Sequence, residues 1–294
     1  MKTKLILLLL LPLSLFAQLN VAVSYPYIGA ITKEIAGDKV KITVLAKGNW
    51  DPHFIVARPS LIAKLRNADA LIINGAQLEI GWVPALVNRS ANAKVMPNSP
   101  SFLDFSTAVK TIQVPQSVDR SQGDLHPFGN PHFHLDPFNI ILLAQKTAGF
   151  LARLDPVNAE VYKNNYYAFA SSWKSKIVKW DKKMKPSAGL EVIQFHDVFA
   201  YFNTRYKITT IGTIEPLPGI PASSRHTIKL IKLIKDKKPY AIMHDVYHPT
   251  KTAKYMKDKT GLKIIMLPHD IGSLDSIKSL EELFDYLTDA FNND

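Results

Sequence analysis

Two histidines, an aspartate and two prolines crowd into the nine residues Gly129-Asn130-Pro131-His132-Phe133-His134-Leu135-Asp136-Pro137. The prolines remove backbone donors and restrict φ, so the side chains between them sit on a stiff, extended or turning segment. Neutral imidazole is the commonest protein ligand for a borderline metal such as zinc. A rigid His-x-His is therefore half of a metal site, or else a loop pair that only hydrogen-bonds its neighbours. The chain has nine histidines, the others being His53, His126, His196, His226, His244, His248 and His269. It has no cysteine, so disulfides and thiolate sites are excluded and any metal must be held by histidine and carboxylate.

The elements that must position these groups alternate. Short β-branched runs at 19–24, 40–46 and 70–74 read as strands, interleaved with helix-period segments at 27–36, 60–67 and 79–87. The second half restarts the pattern, with strands at 191–195, 207–214, 240–243 and 262–267 and helices near 223–235, 250–259 and 277–291. Such an order predicts parallel sheets flanked by helices. Between the halves, Asp136 and Pro137 open a helix over 137–154, as N-cap and first position. Asp155 and Pro156 open another, in which Tyr162, Tyr166, Phe169, Trp173, Ile177, Trp180 and Met184 recur at intervals of four or three. A helix over 156–184 is about 43 Å long, a spine that outgrows one domain. The stretch 96–130 is irregular and proline-punctuated. The fold expected is α/β: two lobes with mainly parallel sheets, residues 18–155 and 186–294, joined by one long rigid helix over 156–185.

The carboxyl ends of parallel strands are where such sheets bind ligands. His53 follows the strand 40–46, His196 ends 191–195 and Asp270 lies past 262–267. With His132 they come from separate segments of both lobes and can converge only in the cleft between them. Three neutral imidazoles and one carboxylate make a four-coordinate set suited to Zn2+. Asp51, Asp136 and Asp197 stand ready to receive the second N–H of a ligand imidazole, although helix capping is the favoured role for Asp136 and Asp197. The aromatic stripe of the spine is packing rather than a cofactor site.

Residues 1–17 carry Lys2 and Lys4 ahead of a mostly apolar run from Leu5 to Phe16, the layout of a secretory signal peptide. An anchored precursor needs a cysteine at the cleavage point, so the protein is expected to be exported to a periplasm and not lipid-anchored. The net charge of +11 comes from lysines scattered over predicted helices. They are solvated faces, and nucleic acid is not an expected partner.

Three stretches together resemble a known family. These are Asp51-Pro52-His53 with Arg58-Pro59-Ser60, then Asn130-Pro131-His132-Phe133-His134-Leu135-Asp136-Pro137, then His196-Asp197-Val198-Phe199-Ala200-Tyr201-Phe202. They look like the signatures of the metal-specific solute-binding proteins of ABC transporters, the zinc and manganese receptors of bacterial periplasms. Glu215-Pro216-Leu217-Pro218-Gly219-Ile220-Pro221 is similar to the segment that follows the third signature. The resemblance implies two lobes on a rigid helix, one divalent ion in the cleft, a membrane permease as partner and no enzymatic step. It makes His53, His132 and His196 the histidine ligands. The third-signature histidine is similar to the zinc branch, with manganese possible. The family's fourth ligand is an acid after a late strand; Asp270 is chosen here, with His269, Asp275 or water as alternatives. The long acidic, histidine-rich loop of zinc receptors is missing, and Gly123-Asp124-Leu125-His126-Pro127 stands in its place. His126 and His134 are candidates to relay metal inward, while His226, His244 and His248 are left as structural or surface residues. Glu215 is expected to brace the cleft floor. A monomer is expected.

The competing class is a secreted zinc hydrolase, in which three histidines with an open fourth position activate water. Against it, the chain has no His-Glu-x-x-His, no Gly-x-Ser-x-Gly and no phosphate loop.

Overall fold

A computed structural model describes residues 18–117 and 126–292. The segment 1–17, expected to be a signal peptide, lies outside them. Strands β1 (Leu19–Val23), β2 (Val40–Val44), β3 (Ala70–Ile73) and β4 (Phe102–Asp104) form one sheet in the order β2-β1-β3-β4. Strands β5 (Glu191–Gln194), β6 (Thr209–Thr213), β7 (Ala241–Asp245) and β8 (Ile264–Leu267) form a second, in the order β6-β5-β7-β8. Every pairing is parallel, with Val21 between Ile42 and Ala70 in the first sheet and Ile193 between Gly212 and Ile242 in the second. The central strands are buried on both faces, which is why they read as unbroken apolar runs such as Ala70–Ile73. In each sheet the chain steps outward from the first strand and then crosses back beside it. The switch points therefore lie between β1 and β3 and between β5 and β7, where such sheets take their ligands.

Around the first sheet lie α1 (Pro26–Ala36), α2 (Pro59–Arg66), α3 (Val83–Ser90) and α4 (Pro137–Leu154). Around the second lie α6 (Ala200–Tyr206), α7 (Ser224–Lys237), α8 (Lys251–Thr260) and α9 (Leu280–Asp289). The helix over 137–154 forms as expected: Asp136 accepts from the Phe138 N–H at 2.9 Å and Pro137 occupies the first turn. The helix expected over 79–87 starts later, at Val83. Residues 76 and 77 adopt positive φ, and the Glu79 side chain is drawn back to the Asn74 and Gly75 N–H groups, so the chain there turns instead of winding. Helix α6 was not foreseen, being a two-turn element of mostly bulky side chains.

The connecting helix is α5 (Ala159–Met184), entered through a 3-10 turn at Pro156–Asn158. Its 26 residues span about 39 Å. Tyr162, Ala170, Trp173, Ile177, Trp180 and Met184 are its buried stripe, with Tyr166 and Phe169 packed partly against the same core. Two indoles fix it to both halves. Trp173 donates to the Pro137 carbonyl at 2.8 Å, and Trp180 donates to the Asp285 carboxylate on α9 at 2.7 Å. Phe284 lies against both rings, at 5.7 and 5.1 Å between centroids. The main apolar core runs from β1 and α1 through α4 and α5 to α9, and a smaller one, around Phe195, Leu230 and Ile242, lies under the second sheet.

The halves also meet at the cleft. Gly48 is pressed against the 270–272 segment so closely that a Cβ there would stand 1.8 Å from the Ile271 carbonyl oxygen. Only glycine allows that approach.

Candidate metal centre

The loops at the carboxyl ends of the strands bring His53, His132 and His196 together. One ring nitrogen from each lies within 4.8 Å of the others. The rings stand steeply to one another, with centroids 5.4 Å apart at 70° for His53 and His132, 5.3 Å at 78° for His53 and His196, and 5.8 Å at 89° for His132 and His196. Imidazole nitrogens around a single tetrahedral zinc are about 3.4 Å apart, from a Zn–N distance of about 2.0–2.1 Å. A modest contraction closes the trio on one ion.

Each element has a local reason to present its ligand. His132 is held by its own N–H, which donates to the Asn130 side chain at 2.9 Å, and begins a 3-10 turn at Phe133–Leu135. The Asn130 amide in turn bonds the Asp197 carbonyl at 2.8 Å, and the Tyr201 hydroxyl donates to the Asn130 carbonyl at 2.8 Å, locking the second and third signature segments together. His196 stands two residues past the end of β5, as the N-cap of the 3-10 turn Asp197–Phe199. His53 lies past β2, its backbone N–H donating to Asp51 at 2.9 Å.

Two carboxylates stand behind the trio. The His53 Nδ1 donates to Asp51 at 3.0 Å, and the His196 Nδ1 donates to Glu215 at 2.9 Å. Such bonds fix the tautomer that leaves Nε2 as the lone-pair nitrogen and orient the ring. The Nε2 atoms of His53 and His132 are buried with no hydrogen-bond partner among the described residues. Burial lowers the pKa of His53, against the opposing pull of Asp51, and lowers that of His132 strongly, with the neighbouring imidazoles adding to it. Both are therefore neutral, as a ligand must be.

Other expectations divide. Asp51 takes the partner role foreseen for it, and Asp136 is a helix cap. Asp197 is not: its carboxylate accepts from Gln194 at 2.6 Å and from Gln113. Asp270 does not join the trio. Its buried carboxylate accepts from the Ile271 N–H at 2.6 Å and from the Tyr27 backbone, and burial pushes its pKa well up despite those bonds. A carboxylate after a strand is visible in a sequence; the backbone donors that claim it are not. His134 lies in the core. It stacks on Tyr27 at 4.3 Å and donates to the His269 carbonyl at 2.8 Å, tying the halves together. His226 bonds the Thr213 carbonyl at 2.8 Å and His244 the Asp245 carbonyl at 2.6 Å, both structural.

His248, which from the sequence reads as a structural or surface residue, belongs to the site's surroundings. It stacks on Phe195 at 4.4 Å, donates to Asp245 at 2.8 Å and faces Glu215 at 3.8 Å. Burial disfavours its charged form, but Asp245, Glu215 and Asp51 outweigh that and hold its pKa above the usual value. The available signal was its position just past the buried strand β7. His126, the other uncertain histidine, stacks against His53 with centroids 5.4 Å apart.

Residues 21–292 match the family described as ZnuA, zinc-uptake complex component A, periplasmic. The chain belongs to this family. It is the substrate-binding component of a metal ABC transporter, which implies a permease as its partner, and it is not an enzyme; the hydrolase alternative falls. Among relatives, the metal ABC transporter substrate-binding lipoprotein ScbA of Streptococcus cristatus is 30% identical over 65% of this chain and 60% of its own length. The iron ABC transporter substrate-binding lipoprotein MtsA of Streptococcus pyogenes serotype M1 is 28% identical over 74% of this chain and 70% of its own. A crystal structure of ZnuA shares the fold, with a TM-score of 0.77 at 24% identity over 94% of this chain and 99% of that one.

The relatives' names correct one expectation. They are called lipoproteins, which are lipid-anchored, so the expected lack of an anchor, inferred from the missing cysteine, does not stand.

Proposed function

We propose that the protein is a zinc receptor, capturing the ion between His53, His132 and His196 and delivering it to the permease. The observation that carries this reading is the convergence of three imidazole nitrogens from both halves within 4.8 Å. Nitrogen donors favour zinc over manganese, which prefers oxygen. Asp51 and Glu215, behind two of the rings, supply negative charge to offset the cation without occupying its coordination sphere. Residues 18–155 and 186–294 act as two lobes carried by 156–185, in a monomer that engages an ion and a permease and no nucleic acid. The ion is cargo, and no bond is made or broken. A single long helix resists wide hinge closure, so capture and release proceed through the loops that carry the ligands.

Calorimetric titration of the purified protein tests this. His132→Ala and His196→Ala should each lower zinc affinity at least about tenfold while leaving the circular dichroism spectrum intact. Unchanged affinity in both would remove the site. A wild-type preference for manganese in direct competition would sink the zinc assignment alone.

A further inference from the structure

Three imidazoles leave a tetrahedral ion one ligand short, and Asp270 is engaged elsewhere by backbone donors. Two further imidazoles stand beside the trio; His248, 5.9 Å from His196, is held by Asp245 and faces Glu215, which leaves His126. The His126 ring lies against His53, centroids 5.4 Å apart at 27°. Its Nε2 is buried and has no hydrogen-bond partner among the described residues, a cost that a polar atom in a finished structure does not normally bear. Pro127 follows it, and the Gly129 N–H closes a turn onto the His126 carbonyl at 3.1 Å. The Asn130 N–H then bonds the Ile112 carbonyl at 2.9 Å, so this turn is moored within six residues of His132. Gly129, at φ +93°, gives the turn the left-handed conformation it needs. A cavity of about 340 Å³, lined by His126, His132, His196 and Glu215 among others, leaves the ring room to swing.

Resting on the receptor reading above, we infer that His126 is the fourth zinc ligand, carried on a short turn that closes over the ion and completes an all-imidazole site. The stacked position beside His53 is the open arrangement, and rotation of the turn brings the free nitrogen onto the ion. A tetrahedral set of four neutral nitrogens with no coordinating carboxylate discriminates against oxygen-preferring manganese. It makes His126 the residue that sets metal choice.

X-ray absorption at the zinc edge counts the imidazoles directly in the loaded wild-type protein. Four nitrogen ligands are expected, falling to three nitrogens and an oxygen in His126→Ala. That variant should lose at least about tenfold in zinc affinity and more for zinc than for manganese. Cobalt substitution gives a second readout: intense tetrahedral bands in the wild type, shifted in His126→Ala as an oxygen donor replaces the imidazole and returned to position by added free imidazole. The metal-free variant should melt as the wild type does; were it to misfold, the wild-type ligand count would still decide. Three imidazoles with an oxygen donor in the wild type, and an unchanged spectrum in the variant, would overturn the assignment of His126. Failure of the receptor reading looks different, because His132→Ala would then bind zinc like the wild type.

Discussion

Glu215 acts at the scale of single atoms, turning one imidazole and fixing where its proton sits. Glu215→Gln keeps the shape but removes the charge that favours a protonated Nδ1 on His196. Zinc affinity should fall about tenfold or more, without change in melting temperature, as measured by chelator competition and thermal melts. Loss of stability with unchanged affinity would make Glu215 a mere brace. Buried histidines also set a pH dependence. Burial brings His134 to about 3 and His269 to about 4, against an unfolded value of about 6.5. Between those limits the unfolded chain binds more protons than the folded one, so stability is present above about 6.5 and lost as pH falls. Glu79 opposes this: burial raises it to about 7, so its contribution is present at low pH and lost as pH rises through that value. Glu79→Gln should therefore remove a fall in stability between about pH 4.5 and 7 and steepen the rise that the histidines give over the same range, as read from urea unfolding across pH. At this scale the sequence made the three histidines legible, because each stands past a strand or between prolines. It could not show that Asp270 spends its oxygens on backbone N–H groups, or that His248 faces Glu215, since both depend on contacts between distant segments.

Among elements, the loop after β2 and the loop after β8 meet at Gly48. Nothing marks Gly48 in the sequence except its place in a turn-like stretch, and the reason for it is the opposing Ile271 carbonyl. Gly48→Ala should cost about 1–3 kcal/mol by overpacking and weaken zinc binding, since the same loop leads to His53. Denaturant unfolding and titration of one preparation would measure both; an unperturbed variant would show the contact to be soft. Elements with local punctuation were readable. Asp136 with Pro137 announced α4, and regular aromatic spacing announced α5. Where side chains overrule local pattern, as at Glu79 ahead of α3 or in the short α6, the periodicity misled or was silent.

For the molecule as a whole, α5 makes one cooperative body from two sheets of identical strand order. Its core passes from β1 to α9 without interruption. Calorimetry should therefore show a single unfolding transition, and Trp173→Ala, which strips an indole from that core, should cost about 3–5 kcal/mol. Two resolved transitions in the wild type would contradict it. The alternation of strands and helices made the sheets and the spine foreseeable. That the two halves share one core was not, because no local pattern records which helix faces meet.

The trio also draws its members from both sides of α5, two from residues before it and one from after. Neither side of α5 carries all three, so the trio assembles only where both sides are folded together. A bound ion thus certifies a completed molecule, and by binding the native state alone it shifts the balance against unfolding.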